Sequence, residues 1–582
     1  MNKTAIKTDI FYLLALLLTA IIILNNAFYG FGWTDEALYC ATVNSIYHGQ
    51  KLFFDISEPT QCYSVLLLPI YSLFLKIQRG GDGIYLLMRI FTISCQFITS
   101  VILYFTLRKT YTKQIAFVSS AVFLIFSRAQ LFGPSYYTFV LINFTLALCF
   151  LLLFKFKPKK YYLFISGIFF GFSILCNPYI VLFYALFSLL AATLPFSRKH
   201  IKLYIHIWIG TLLVGIIFTA YVLYGSNFDN FHIALENFLS SPEYSSKSII
   251  LQVKRILKFP RLLITQFVYF LPFTILAFMS FFRKSLKEKI NSSNKIRLTI
   301  IILLLINYAI EIFFIRKDNG MPVTGFLCFA ILNYTLFGKK KIKEYQNDIF
   351  YFLIPGFTLS FAECIASDTG FGVFSIGIVL CMPFALHIYF DTFSKPLESQ
   401  RNEIKFHLLV NIPICLLILC TLYYRINLPY RDQKISPHFI FIPSLEKNIS
   451  KIDRGPAKNI WTHSSNKFQY DKIYEVIKNI DANENDSFMI LKLCPWAYLV
   501  NEKLTPFSMT AWRLSDNDSR LKRYFEDLNH KLPEHILILN KDIRDNYDNK
   551  PTEDSYLLQK IKESDYVKTK VECGYMYDKK RK

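Results

Sequence analysis

Residues 11–29 read FYLLALLLTAIIILNNAFY, and residues 30–39 continue as GFGWTDEALY. The first stretch matches one membrane crossing, because about 20 mostly apolar residues span the hydrocarbon of a bilayer. It is too long for a signal-peptide core and lacks a small-residue cleavage site, which predicts a retained anchor. The second stretch turns polar abruptly at Asp35 and Glu36. Further along the chain, apolar runs recur at 84–107, 114–126, 138–154, 161–176, 178–196, 203–224, 263–282, 298–315, 323–337, 348–365, 373–391 and 406–424. With the anchor they predict about 13 spans, two of them short (114–126 and 323–337).

Composition agrees. Of 582 residues, 53% are hydrophobic, 17% aromatic and 18% charged, and the mean hydropathy is +0.32. An average soluble domain is about 25% charged. The chain supplies too few polar residues to cover a soluble globule with such runs inside it. A soluble enzyme, a disordered chain and a fibrous repeat are excluded, and a polytopic membrane protein remains.

The formal charge of +23, from 65 Lys and Arg against 42 Asp and Glu, is explained by its distribution. Basic residues cluster in alternate turns: Lys3 and Lys7; Arg108, Lys109 and Lys113; Lys155 to Lys160; Arg198, Lys199 and Lys202; Arg283 to Arg297; Lys339 to Lys343; Lys395 to Lys405. The intervening short loops 127–137, 316–322 and 366–372 carry only Arg128, Arg316 and Lys317. By the positive-inside rule this predicts a cytoplasmic N-terminus, a multi-pass plasma (inner) membrane protein and no nucleic-acid partner. Two large pieces then lie outside the cytoplasm, the loop 30–83 and the tail 426–582. Residues 1–425 read as the membrane domain. In the tail, 470–480 and 518–528 read as helices, and 487–493 and 535–539 as short buried strands, which predicts a small α/β domain. Among the 12 Cys no zinc-type spacing occurs. Cys40 with Cys62, and Cys494 with Cys573, are candidate disulfides whose pairing the sequence leaves open.

Asp35 and Glu36 follow Thr34. This is how a capped helix with an acidic first turn begins, and equally how a carboxylate is set at a membrane surface to act as a general base. Arg89 lies inside a span, where an ionised residue reads by default as functional. The apolar anchor, the acidic pair, His48-Gly49, Pro59 and Arg89 together resemble the start of the GT-C membrane glycosyltransferases, such as the protein O-mannosyltransferases and lipid A aminoarabinose transferases. GIFFGFSILCNP at 167–178 resembles their Gly-rich helix with a polar-Pro break. Pro495-Trp496-Ala497-Tyr498, 533–539 and Tyr575-Met576-Tyr577 resemble the terminal domain of bacterial members.

The resemblance implies a GT-C-like bundle that moves a sugar from a polyprenyl-phosphate donor to an extracytoplasmic glycolipid, glycan or protein, with inversion. It implies Asp35 as general base beside Glu36. Many relatives carry a second acid in the next outer loop, where this chain reads RAQLFGPSYY at 128–137. Tyr136 and Tyr137 then become candidate substrate hydrogen-bonding groups. The leaving phosphate needs cations, for which the candidates are Arg89, Arg128, Lys254, Arg255, Lys258, Arg261, Arg316 and Lys317. The segment 249–258 reads equally as an amphipathic helix held by anionic lipid. The turn around Arg316 and Lys317 reads equally as solvated. Asp368 is a candidate for orienting a sugar or acceptor hydroxyl, or a plain turn residue. No cofactor is expected, since the donor is a lipid and no ligand set requires a metal. A transporter or flippase of lipid-linked sugars is the alternative class, with a surface-glycan polymerase or ligase as a third reading.

Overall fold

The computed structural model describes residues 3–33, 35–56, 58, 60–128, 132–181, 186, 189, 201–224, 228–239, 249–315, 320–338, 340–366, 371–393, 403–431, 449–491, 494–507, 518–540 and 556–580. Among them, seven helices are long and apolar enough to cross a membrane, or eight when one bent pair is counted as a span. Four shorter apolar helices, Lys113–Ile125, Lys160–Cys176, Met321–Phe337 and Val410–Ile426, match further predicted spans. The run 178–196 lies largely outside the described residues.

The run 263–282 is not one straight span. Ile256–Val268 and Leu271–Phe282 meet at 95°. Pro272, in the first turn of the second helix, explains the corner: proline lacks the N–H of a continuing helix and disfavours helical geometry in the residue before it. Hydropathy is continuous through the corner, so the sequence pattern did not reveal it.

The first quarter of the chain builds the scaffold of the site. Helix α1 (Lys3–Asn26) is followed by α2 (Asp35–Tyr47), which begins on the acidic pair and buries every residue from Glu36 to Ile46. After α3 (Leu68–Gln78), Gly83 takes a left-handed conformation (φ 82°) that turns the chain into α4 (Ile84–Leu107). Thr112 caps α5 (Lys113–Ile125), and the Ser135 hydroxyl caps α6 (Tyr136–Phe156) by accepting from Thr138 N at 3.1 Å. Helix α7 (Lys160–Cys176) stops at Asn177-Pro178. It packs backbone to backbone on Ile201–Leu223, for a Cβ on Gly167 would fall 2.1 Å from Ile207 O. The Gly-rich stretch of the sequence is thus a close helix crossing.

The tail is an α/β unit as expected. Its main sheet has the order β4-β3-β5-β7-β6. Strand β3 (Asp486–Leu491) runs parallel to β4 (Leu504–Pro506) and β5 (His535–Leu539). The hairpin β6 (Tyr566–Val571) and β7 (Gly574–Lys579) closes the sheet antiparallel to β5. Helices Ser464–Lys478 and Asp518–Glu526 fall where the sequence placed them. Strands β1 (Ile449–Lys451) and β2 (Trp461–His463) form a separate antiparallel pair. All twelve cysteines are free thiols, so neither candidate disulfide is formed.

This tail clamps the first loop. Gly30 N donates to Trp461 O and Trp461 N to Phe28 O, both at 2.8 Å, which adds β2 to the end of α1. Gly83 N donates to Gly455 O at 2.9 Å, and Tyr85 N to Pro456 O at 3.2 Å, which pins the start of α4. Between these anchors the Trp33 and Trp496 rings meet edge to face at 5.4 Å, and Tyr470 stacks on Trp496 at 4.4 Å. Asn44 on α2 donates to Tyr498 O at 2.9 Å and accepts from Tyr71 at 2.8 Å. Large buried rings of this kind each contribute several kcal/mol. Trp496→Ala is expected to cost about 3–5 kcal/mol and to expose loop 30–83 to protease before the helices melt. Limited proteolysis beside a thermal unfolding curve measures both.

The tail also carries a pH-sensitive contact. His535 Nδ1 meets Asp578 Oδ1 at 2.7 Å, and Nε2 meets Asp486 Oδ2 at 3.4 Å. Burial alone would lower the imidazole pKa, but hydrogen bonds and charge from Asp578 and Asp486 outweigh it and raise the pKa above its ordinary value. The resulting stabilisation is complete below the unfolded imidazole pKa and is lost as pH rises through the raised one. Asp578→Asn is expected to flatten the thermal stability of the tail across that window, measured as melting temperature against pH.

Candidate active site

The acidic pair divides between two faces of α2. Successive residues on an α-helix point about 100° apart, so Asp35 and Glu36 cannot face the same neighbours. Glu36 points inward and grips Arg89 of α4 with two parallel hydrogen bonds, Nε to Oε1 at 2.5 Å and Nη2 to Oε2 at 2.6 Å. Their side chains are 1% and 0% exposed. The other guanidinium donors reach Ala27 O at 2.5 Å and Gly30 O at 2.7 Å, at the end of α1. One turn along the same face, Cys40 sits within electrostatic reach of both charges. Arg89 thus donates to Glu36 and to main-chain carbonyls, and Glu36 is its buried counter-ion, a pairing that competes with the phosphate-binding and proton-accepting roles read from the sequence.

Asp35, by contrast, is half-buried on the neighbouring face, one turn before Tyr39. That face looks toward the second outer loop. Arg128, 8% exposed, lies with its guanidinium carbon 3.9 Å from the centre of the Tyr137 ring and interacts electrostatically with Tyr137, Tyr136, Tyr39 and Asp35. The Tyr136 and Tyr137 rings are 3.9 Å apart, and Tyr39 meets Tyr136 at 6.1 Å and Tyr63 at 5.9 Å. Tyr63 OH donates to Pro134 O at 2.7 Å, tying the two loops together. Burial, then the charge of Asp35, pushes the Tyr39 phenol well above its ordinary range and keeps it a neutral donor. Burial opposes charge on Arg128, but the phenols and Asp35 more than offset it, and the guanidinium stays cationic.

The second loop also supports the ion pair. A Cβ on Gly133 would lie 2.8 Å from Glu36 Oε1, so glycine is required there. Phe132 lies between two guanidinium groups, with the Arg89 carbon 6.0 Å and the Arg425 carbon 4.6 Å from its ring centre. Arg425, 1% exposed, was missed because it falls at the edge of an apolar run and reads as a flanking charge. Glu363 was passed over for the same reason. It is fully buried and accepts from Asn177 Nδ2 at 2.8 Å, and it interacts electrostatically with Arg128.

Of the remaining candidate cations, Lys258 is half-buried on the helix Ile249–Val268, within electrostatic reach of Cys364 beside Glu363. Lys254 and Arg261 are exposed on the same helix. The side chain of Arg255, and residues Arg316, Lys317 and Asp368, lie outside the described residues, as does Thr34. The structure therefore gathers Asp35, Arg128, Tyr136 and Tyr137, brings Glu363 within electrostatic reach of Arg128, and separates Arg89 from them.

Among solved structures the chain is similar to the archaeal oligosaccharyltransferase AglB from Archaeoglobus fulgidus in complex with an inhibitory peptide and a dolichol-phosphate, at a TM-score of 0.47 and 12% identity over 91% of this chain and 70% of that one. It is also similar to the Archaeoglobus fulgidus oligosaccharyltransferase tethered with an acceptor peptide, at a TM-score of 0.46 and 13% identity over 90% and 69% of the two chains. No family model matches the chain, and no curated protein matches it.

Glu36→Ala or Arg89→Ala alone is expected to destabilise the protein by about 3–5 kcal/mol, since each leaves the other charge buried without its partner. The double substitution Glu36→Leu with Arg89→Met recovers most of the loss. Thermal unfolding in lipid nanodiscs measures the cycle. Loss of donor affinity at unchanged stability in Arg89→Ala would return Arg89 to the phosphate site.

Proposed function

We propose that the chain is an integral-membrane glycosyltransferase of the GT-C type, which transfers a sugar with inversion from a polyprenyl-phosphate carrier to an extracytoplasmic glycolipid, glycan or protein. The observation that carries this reading is the division of the acidic pair. Glu36 is consumed by Arg89, whereas Asp35 is held half-buried beside a buried arginine and a cluster of tyrosines. A carboxylate next to a cation, at the lip of an apolar bundle, suits a reaction that needs both a base and a charge sink.

In this mechanism the acceptor hydroxyl or amine attacks the anomeric carbon while Asp35 takes its proton. The bond from that carbon to the phosphate oxygen breaks, and the electron pair leaves with the polyprenyl phosphate. Arg128 stabilises the charge that gathers on this phosphate, because donors fixed before the reaction need no reorganisation during it. Lys258, Arg255, Arg316 and Lys317 are the further candidate cations for this phosphate. Tyr136 and Tyr137 wall the sugar and donate hydrogen bonds. The lipid chain lies against the apolar helices. Residues 1–425 form the membrane domain in the plasma (inner) membrane, with 426–582 outside the cytoplasm.

Asp35→Asn is expected to lower turnover by about 10²–10⁴-fold, the usual worth of a general base, with an unchanged melting temperature. Release of polyprenyl phosphate from a polyprenyl-phosphate hexose by protein in nanodiscs is the measurement, and wild-type turnover by this variant sinks the base assignment. Arg128→Leu is expected to lower kcat/KM for the same donor.

A further inference from the structure

The polar-Pro break after α7 has a second role. Asn177 Oδ1 accepts from Tyr179 N at 3.0 Å, which caps the short turn Pro178–Ile180 and fixes the amide orientation. Its Nδ2 must then point away, and it donates to Glu363 Oε1 at 2.8 Å. Glu363 is thereby held with its second oxygen, Oε2, buried and without a hydrogen-bond partner among the described residues. Cys176, the residue before Asn177, lies within electrostatic reach of Glu363 and against Asn143 of α6. The Asn143 side chain is 6% exposed, and its Nδ2 likewise has no oxygen or nitrogen partner; a thiol is only a weak acceptor. An unpartnered acceptor, Glu363 Oε2, and a donor engaged only by the Cys176 thiol thus flank one residue. Cys176 also interacts with Cys62 in the turn Gln61–Leu66, and with Tyr63 beside it, which places it under the loop that carries Asp35.

A buried polar atom without a partner costs about 1–3 kcal/mol, so each calls for an explanation, a bound group that completes it among them. An acceptor beside a donor is the complement of a hydroxyl group, which gives one proton and takes another. Glu363 is electrostatically linked to Arg128, the residue assigned to the donor phosphate, so the hydroxyl belongs near that phosphate. We propose that Glu363 and Asn143, the former aimed by Asn177, form the specificity-determining subsite for the donor sugar. They bind one ring hydroxyl of a non-acidic sugar and reject sugars that lack it or carry a carboxylate. This rests on the transferase reading above. Glu363 supplies the discrimination in both directions, since a deoxy sugar leaves its buried Oε2 unpaired and a uronic acid forces a charged carboxylate, with no proton to donate, into a buried site. Sites built around a buried hydrogen bond to a substrate hydroxyl reject the analogue lacking it by as much as about 10⁴-fold.

The test uses the full-length protein in nanodiscs and a panel of polyprenyl-phosphate glucose, galactose and mannose with their monodeoxy and uronic-acid counterparts, read as polyprenyl phosphate release and as thermal shift on donor binding. The expected result is one accepted neutral hexose, one monodeoxy form of it used at least about 100-fold less efficiently, and no use of its uronic acid. Glu363→Gln and Asn143→Leu are expected to narrow the ratio between parent and deoxy donor, chiefly through KM. The wild-type comparison requires no mutant to fold. Equal use of every monodeoxy form, or the full wild-type ratio in a folded Glu363→Gln, overturns the subsite while leaving the transferase standing. Neither turnover nor binding of any donor overturns the transferase reading, and the subsite with it.

Discussion

A carboxylate and a guanidinium drawn into an apolar interior are tolerated only together, and the Glu36–Arg89 pair turns that constraint into geometry. Three chain segments meet at one guanidinium: the start of α2 through Glu36, the end of α1 through the Ala27 and Gly30 carbonyls, and α4 through Arg89 itself. Because the pair has no lower-energy place to go, the rotation of α2 about its axis is fixed. Asp35, one residue earlier, is then turned toward Arg128 by helical geometry alone. The second loop accepts this arrangement only because position 133 has no side chain.

Glu36 and Arg89 neutralise each other, and two neighbouring guanidinium groups, Arg128 and Arg425, also lie against aromatic rings. Arg128 lies on Tyr137 and Arg425 on Phe132, contacts that favour a cation. Part of the 17% aromatic content thus has a use beyond filling spans.

The helical bundle and the tail fold were legible because each is written locally, in runs of apolar residues and in short strand patterns. Partnerships were not. Glu36 and Arg89 are 53 residues apart, and Asn177 and Glu363 are 186; nothing in either stretch announces the other. Arg89 drew attention for a sound reason, an ionised group inside a span, but the sequence could not say whether its partner was a substrate or a neighbour. Glu363 and Arg425 stood at the ends of apolar runs, where charges ordinarily reach interfacial water. The 95° corner after Val268 was hidden because apolarity reports what surrounds a helix and not where its axis points.

The clamp between the tail and the first loop has a consequence for biosynthesis. Asn44 is held by the carbonyl of a residue 454 positions later in the chain, and the ends of α1 and α4 wait for Trp461, Gly455 and Pro456. The ribosome therefore completes every membrane helix before it makes the residues that fasten the loop bearing Asp35. A chain that has not yet reached residues 455–498 is inserted with that loop unfastened.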